Sequence, residues 1–177
     1  AKVGVVDSLK RGIEKIPSEA SLHSKLVDFY TQEKNTAALP SLYQKFAAKN
    51  PTDPTVFWYQ GLASFRNADS LRSSFQNQPA TEAYEESKKA FVKSVELRAD
   101  FEETAKYYLD LVPLSLGWCR FQDRKIEEAA QNILILLRRE RHEAPARIAR
   151  RQYPKLISYR ARIAADDVNF KFSGNSV

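Results

Sequence analysis

The chain has 177 residues, 43% of them hydrophobic, with 28 Lys plus Arg against 22 Asp plus Glu and a formal net charge of +6. That apolar fraction supports a core and excludes wholesale disorder, while no apolar run reaches the roughly 18 residues of a membrane span. Five glycines form neither GxGxxG nor a phosphate loop, and one cysteine with two histidines cannot build a structural zinc site or a disulfide framework. No cofactor and no metal are therefore expected, and the chain reads as non-enzymatic.

Residues 1–18 read as half a unit, with Val5, Val6, Leu9 and Ile13 at helical spacing and Pro17 closing it. This stripe would pack on a preceding helix, and its open edge is the expected route of any self-association. A unit over 20–52 follows. At an offset of 34, Val5, Leu9, Gly12 and Pro17 fall on Leu39, Tyr43, Phe46 and Pro51, while His23, Leu26, Val27 and Tyr30 fall on Phe57, Gln60, Gly61 and Ser64. A second unit spans about 54–100. Leu39, Tyr43, Phe46 and Pro51 map onto Ser87, Phe91, Ser94 and Ala99 at an offset of 48, which implies 14 inserted residues. The insertion is placed at 69–82, where Ser70, Ser73, Ser74, Gln76, Asn77, Gln78 and Pro79 cluster as in a loop. A third unit covers 110–142. Phe57, Gly61 and Phe65 reach Pro113, Gly117 and Phe121 at an offset of 56, so eight further residues precede it.

Within each unit apolar residues recur at three and four, as in paired amphipathic helices. Gly61 and Gly117 sit mid-helix, where glycine costs about 1 kcal/mol against alanine, so both are expected at close helix–helix approaches. The fold class is all-α, a stack of antiparallel helix pairs.

At these residues the chain resembles the tetratricopeptide repeat family. Phe57-Trp58-Tyr59-Gln60-Gly61-Leu62-Ala63-Ser64-Phe65 looks like the first helix of that motif. Leu116-Gly117-Trp118-Cys119-Arg120-Phe121 with Glu128-Ala129-Ala130-Gln131-Asn132-Ile133 looks like a nearly complete unit. Val27 in place of Gly or Ala, Gln60 in place of an apolar residue and Ala99 in place of the closing proline depart from the pattern. The resemblance implies a right-handed superhelical solenoid whose concave wall binds a peptide segment of a partner protein. It places Ser24, Asp28, Thr31 and Gln32 on that wall, then Trp58, Leu62, Phe65 and Arg66, then Leu114, Trp118, Phe121 and Gln122. The carboxylate clamp by which some members hold chaperone tails is not matched, since only Lys25 has the right chemistry.

An aromatic stripe at this spacing also suits a filled interior. The insertion, through Leu71 and Phe75, or residues 100–112, through Tyr107, Tyr108 and Leu109, would then cover the groove. The alternative function is a structural segment of a larger repeat protein or a homo-oligomer.

From Arg138 to Arg162 nine basic residues face only Glu140 and Glu143, so the positive charge is concentrated there. A basic capping helix is expected over 145–165, with Arg147, Arg150, Arg151, Lys155 and Arg162 on its outer side and a tail at 166–177. Nucleic acid or anionic lipid is the minor reading of that patch. His23 and Cys119 read as packing residues. No signal peptide or transmembrane segment is seen, and localisation stays open, with the cytoplasm as default.

Overall fold

The computed structural model describes residues 2–138, with side chains from 4 to 132; the expected capping helix, the basic patch on Arg147, Arg150, Arg151, Lys155 and Arg162, and the tail lie outside the described residues. Seven α-helices and two short 3-10 turns make up the described chain, and no strand occurs among these residues. They are α1 (Lys2–Lys15), α2 (Ala20–Gln32), α3 (Leu39–Lys49), α4 (Pro54–Ser73), α5 (Asn77–Leu97), α6 (Glu102–Gln122) and α7 (Ile126–Arg138), with the 3-10 turns at Thr36–Ala38 and Ala99–Phe101. Consecutive helices pack as pairs, an arrangement compatible with a helical repeat. The chain divides into two compact units, one ending at Val112 and one beginning at Pro113.

One turn recurs three times. α2, α4 and α6 each end in a three-residue connection whose middle residue is left-handed: Lys34 (φ 54°), Phe75 (φ 59°) and Arg124 (φ 62°). In each, the amide after that residue closes back on the carbonyl five residues earlier: Asn35 on Tyr30 (2.9 Å), Gln76 on Leu71 (2.9 Å) and Lys125 on Arg120 (2.8 Å). The left-handed residue itself bonds three back, to Thr31, Arg72 and Phe121. These bonds satisfy carbonyls that a helix C-terminus leaves unpaired. A second connection also recurs, where Ile16, Asn50 and Arg98 donate to the carbonyls of Gly12, Phe46 and Ser94. It sets up the next helix start. Glu19 caps α2 by accepting from Ser21 N (3.2 Å), and Asp53 caps α4 by accepting from Thr55 N (2.8 Å) and Val56 N (3.2 Å).

The expected loop at 69–82 is helix instead. α4 has 20 residues against 13 in α2, and α5 has 21 against 11 in α3 and three in the turn before it. The 14 extra residues thus enter as seven on each arm of one hairpin. Seven residues are close to two turns, so each apolar stripe keeps its phase. Pro79 lies in the first turn of α5, and only residues 74–76 connect the arms. The eight residues expected before the third unit likewise extend α6, which starts at Glu102.

In the unit ending at Val112, Ile13, Leu26, Val27, Leu39, Tyr43, Val56, Ala63 and Phe91 are fully enclosed. His23 sits among them. Pro17 O can only accept, so Nε2–H donates to it (2.7 Å), and Nδ1 accepts from the Tyr43 hydroxyl (3.1 Å). The imidazole stacks on Tyr59 at 4.9 Å between centroids. Burial holds its pKa below the usual histidine value, against the opposing pull of the Pro17 bond and the Asp53 and Glu19 charges. Gly61 lets α4 and α5 meet closely, for a Cβ there would lie 2.8 Å from the Phe91 ring. Ser87 Oγ donates to Gly61 O at 2.8 Å across the same contact.

In the unit beginning at Pro113, Leu114, Leu116, Cys119, Ala129 and Ala130 are buried. Arg120 Nε reaches Glu128 Oε2 at 3.3 Å, joining α6 to α7.

Candidate partner-binding groove

Trp58, Leu62 and Phe65 lie four and three residues apart on α4 and share one face. In the structure that face is covered. Tyr108, on the first half of α6, meets three rings of α4 and α5: it stacks on Phe91 (5.0 Å, 14°) and stands edge-on to Phe65 (5.3 Å) and Trp58 (6.1 Å). Phe101 adds a tilted contact to Trp58 at 6.5 Å, and Tyr84 of α5 closes on Phe65 at 5.4 Å. Leu62 (9% exposed) and Phe65 (5%) are therefore enclosed, not open wall. Trp58 is half-buried, with its Nε1 shielded and without a hydrogen-bond partner. Arg66 is exposed, and its guanidinium lies near enough to Tyr108 to oppose the upward push of burial on that phenol.

The second set lies in the unit beginning at Pro113. Leu114 is buried, Trp118 and Gln122 are half-buried, and Phe121 is exposed. Trp118 and Phe121, three apart on α6, stack at 5.4 Å and 27° and form an aromatic step. The Gln122 Oε1 atom is buried without a partner.

On α2, Ser24 Oγ reaches Asp28 Oδ2 at 3.5 Å on an exposed face, and Thr31 Oγ1 bonds back to Val27 O. Burial pushes the neighbouring Tyr59 phenol up, with a hydrogen bond to Ser24 pulling the other way. This stretch is polar and solvated.

Of the two covers considered for the groove, residues 100–112 supply the rings on Trp58 and Phe65. Phe75 does not, being 75% exposed at the tip of the α4–α5 hairpin. Two features were not foreseen from the sequence. One is a polar cluster in which the Tyr84 hydroxyl donates to Asp69 Oδ1 while Arg72 Nε donates to the same hydroxyl at 3.0 Å. The other is an apolar cavity of about 330 Å³ between α5 and α6, lined by Val92, Val95 and Leu109. The recurrence of Ala80, Tyr84 and Phe91, with the small Ser87 between them, at helical spacing was the available signal for the longer helices.

Among the described residues no group of three or more His, Cys, Asp or Glu side chains lies close enough to hold a metal ion. No helix among them is long and apolar enough to cross a membrane. No family model, curated protein or solved structure matches the chain.

Proposed function

We propose that the chain is a non-enzymatic protein-interaction scaffold of tetratricopeptide-like repeats, wound as a right-handed solenoid, which takes up a peptide segment of a partner. The observation that supports this reading most is the recurrence of one hairpin connection, with a left-handed residue at 34, 75 and 124 and the same closing hydrogen bonds. A stack built from one repeated joint exposes equivalent side chains at regular steps, which suits an extended ligand. The apolar and basic members of the expected wall that reach the surface are Trp58, Arg66, Trp118 and Phe121, beside the polar Ser24, Asp28, Thr31, Gln32 and Gln122. Aromatic and arginine side chains of this kind are the usual anchors of protein contacts.

A second reading is a structural repeat segment with a self-filled groove. The rings of Phe101 and Tyr108 on Trp58 favour it.

The two are separated by selecting peptides from a display library on the immobilised protein and measuring their affinity for Trp118→Ala and Arg66→Glu. The scaffold reading expects at least one peptide that loses tenfold or more, about 1.4 kcal/mol, with the thermal midpoint of the variant unchanged. Failure to select any peptide, or affinity indifferent to both changes, leaves the structural reading standing. Acrylamide quenching of Trp58→Phe and Trp118→Phe reports which tryptophan solvent reaches.

A further inference from the structure

We propose that Phe75, at the tip of the α4–α5 hairpin, seats in the apolar cavity between α5 and α6 of a second copy and links copies head to tail.

Both halves of the contact are built into the unit ending at Val112. Phe75 is the most exposed large hydrophobic side chain described, at 75%. It holds a left-handed backbone, which a bulky side chain adopts only at some strain. The same turn position carries Lys34 and Arg124 elsewhere, so the turn geometry itself does not call for an aromatic ring. The hairpin that carries it is two turns longer on each arm than the α2–α3 hairpin, which advances the tip by about 10 Å. Asp69, Arg72 and Tyr84 tie the arms together just below the tip. The ring is held out on a braced support, and little ordering remains to be done on docking.

The receiving cavity of about 330 Å³ has Val92, Val95 and Leu109 for walls and Glu96, Glu102 and Lys106 at its rim. The space is open to solvent on one side and larger than the roughly 150 Å³ that takes up benzene when enclosed, so a phenyl ring can enter it. Val92, at the cavity, is 40% exposed and adds apolar surface. Around the ring the tip offers Ser73, Ser74, Gln76 and Gln78, all exposed and uncharged. They bring no like charge against the rim and can hydrogen-bond to it.

The contact has to be between molecules. Phe75 precedes the first residue of α5, whereas Val92 and Val95 lie near its end, about 25 Å along the same rigid helix. A knob and a hole on different patches, joined head to tail as proposed, make a heterologous contact, which adds copies in one direction.

The test is sedimentation equilibrium of the full chain between about 10 and 500 µM, a range suited to a contact smaller than a standard interface. Two variants sit at exposed positions, Phe75→Ser and Val92→Glu, and far-UV circular dichroism checks their folding. Wild type is expected to rise above the monomer mass with concentration, and each variant to associate at least tenfold more weakly. An equimolar mixture of the two keeps one intact hole and one intact knob, so it forms one-to-one dimers and nothing larger. A wild type that stays monomeric throughout overturns the proposal. So do variants that associate like wild type, as contact through the α1 edge would produce, and so does a mixture that remains monomeric.

Discussion

Replacing three glycines in turn with alanine probes how closely the helices approach. In a helix interior the change is worth about 1 kcal/mol in favour of alanine, so any loss measures contact with the added methyl. At Gly61 the methyl carbon would lie 2.8, 2.8 and 2.9 Å from Cδ1, Cε1 and Cγ of Phe91. That ring is fully buried, stacked on Tyr108 and edge-on to Trp58, so it cannot step back. Overpacking of this kind costs about 1–3 kcal/mol; with the contact spread over half a ring, the upper part of the range applies. The net expectation for Gly61→Ala is a loss of about 1–2 kcal/mol, a fall in midpoint of about 3–6 °C for a chain of this size. At Gly12 the nearest atom is Leu22 Cδ1 at 2.9 Å, the free end of a side chain that can swing aside, so Gly12→Ala is expected to be near neutral. At Gly4 nothing lies within 4 Å, and Gly4→Ala gains up to about 1 kcal/mol. Urea unfolding followed at 222 nm gives the order. Repeating Gly61→Ala in a Phe91→Leu background should recover part of the loss as a coupling energy. A Gly61→Ala protein as stable as wild type, or no coupling to Phe91, refutes the reasoning.

Other changes have equally definite outcomes. Because burial lowers the folded-state pKa of His23, the unfolded chain takes up the extra proton: stability is complete above about 6.5 and falls as pH drops from there through the lowered pKa. The urea midpoint should therefore decline between pH 7.5 and 5.5, and His23→Phe should flatten that decline. The same variant should cost about 1–3 kcal/mol at pH 7.5, since Tyr43 and Pro17 lose a buried partner. Lys34→Gly, Phe75→Gly and Arg124→Gly, each at a left-handed position, should stabilise the fold by up to about 1 kcal/mol apiece, read as a raised thermal midpoint. Asp53→Ala removes the cap on Thr55 N and Val56 N and should cost about 1 kcal/mol in the same assay.

The helical nature of the chain and its 34-residue phase were legible because both rest on local spacing. Val5, Leu9, Gly12 and Pro17 repeat as Leu39, Tyr43, Phe46 and Pro51 whatever else the chain does. The insertion was misjudged because serine, asparagine and proline are weak helix formers in isolation. Here those residues occupy the ends of two long helices. Ala68 and Ala80 are fully buried, and Tyr84 ties to Asp69 and Arg72 across the hairpin. Tertiary packing outweighs propensity at such positions. The candidate wall was legible as a set of residues on one face of α4, but not as open or covered. That depended on Phe101 and Tyr108, about 40 to 50 residues along the chain from Trp58.

Period, helix content and the choice of small residues at close contacts follow from the order of side chains, because they depend on neighbours within a few turns. Gly61 needed only a helix across from it to have its meaning, and Phe91 supplied that. Exposure is different. Trp58, Phe65 and Phe75 are all large apolar side chains in the α4–α5 hairpin, yet one is half-covered, one is enclosed and one stands in solvent. The difference lies in which distant ring reaches each of them, and in seven residues per arm that carried the hairpin tip beyond such reach.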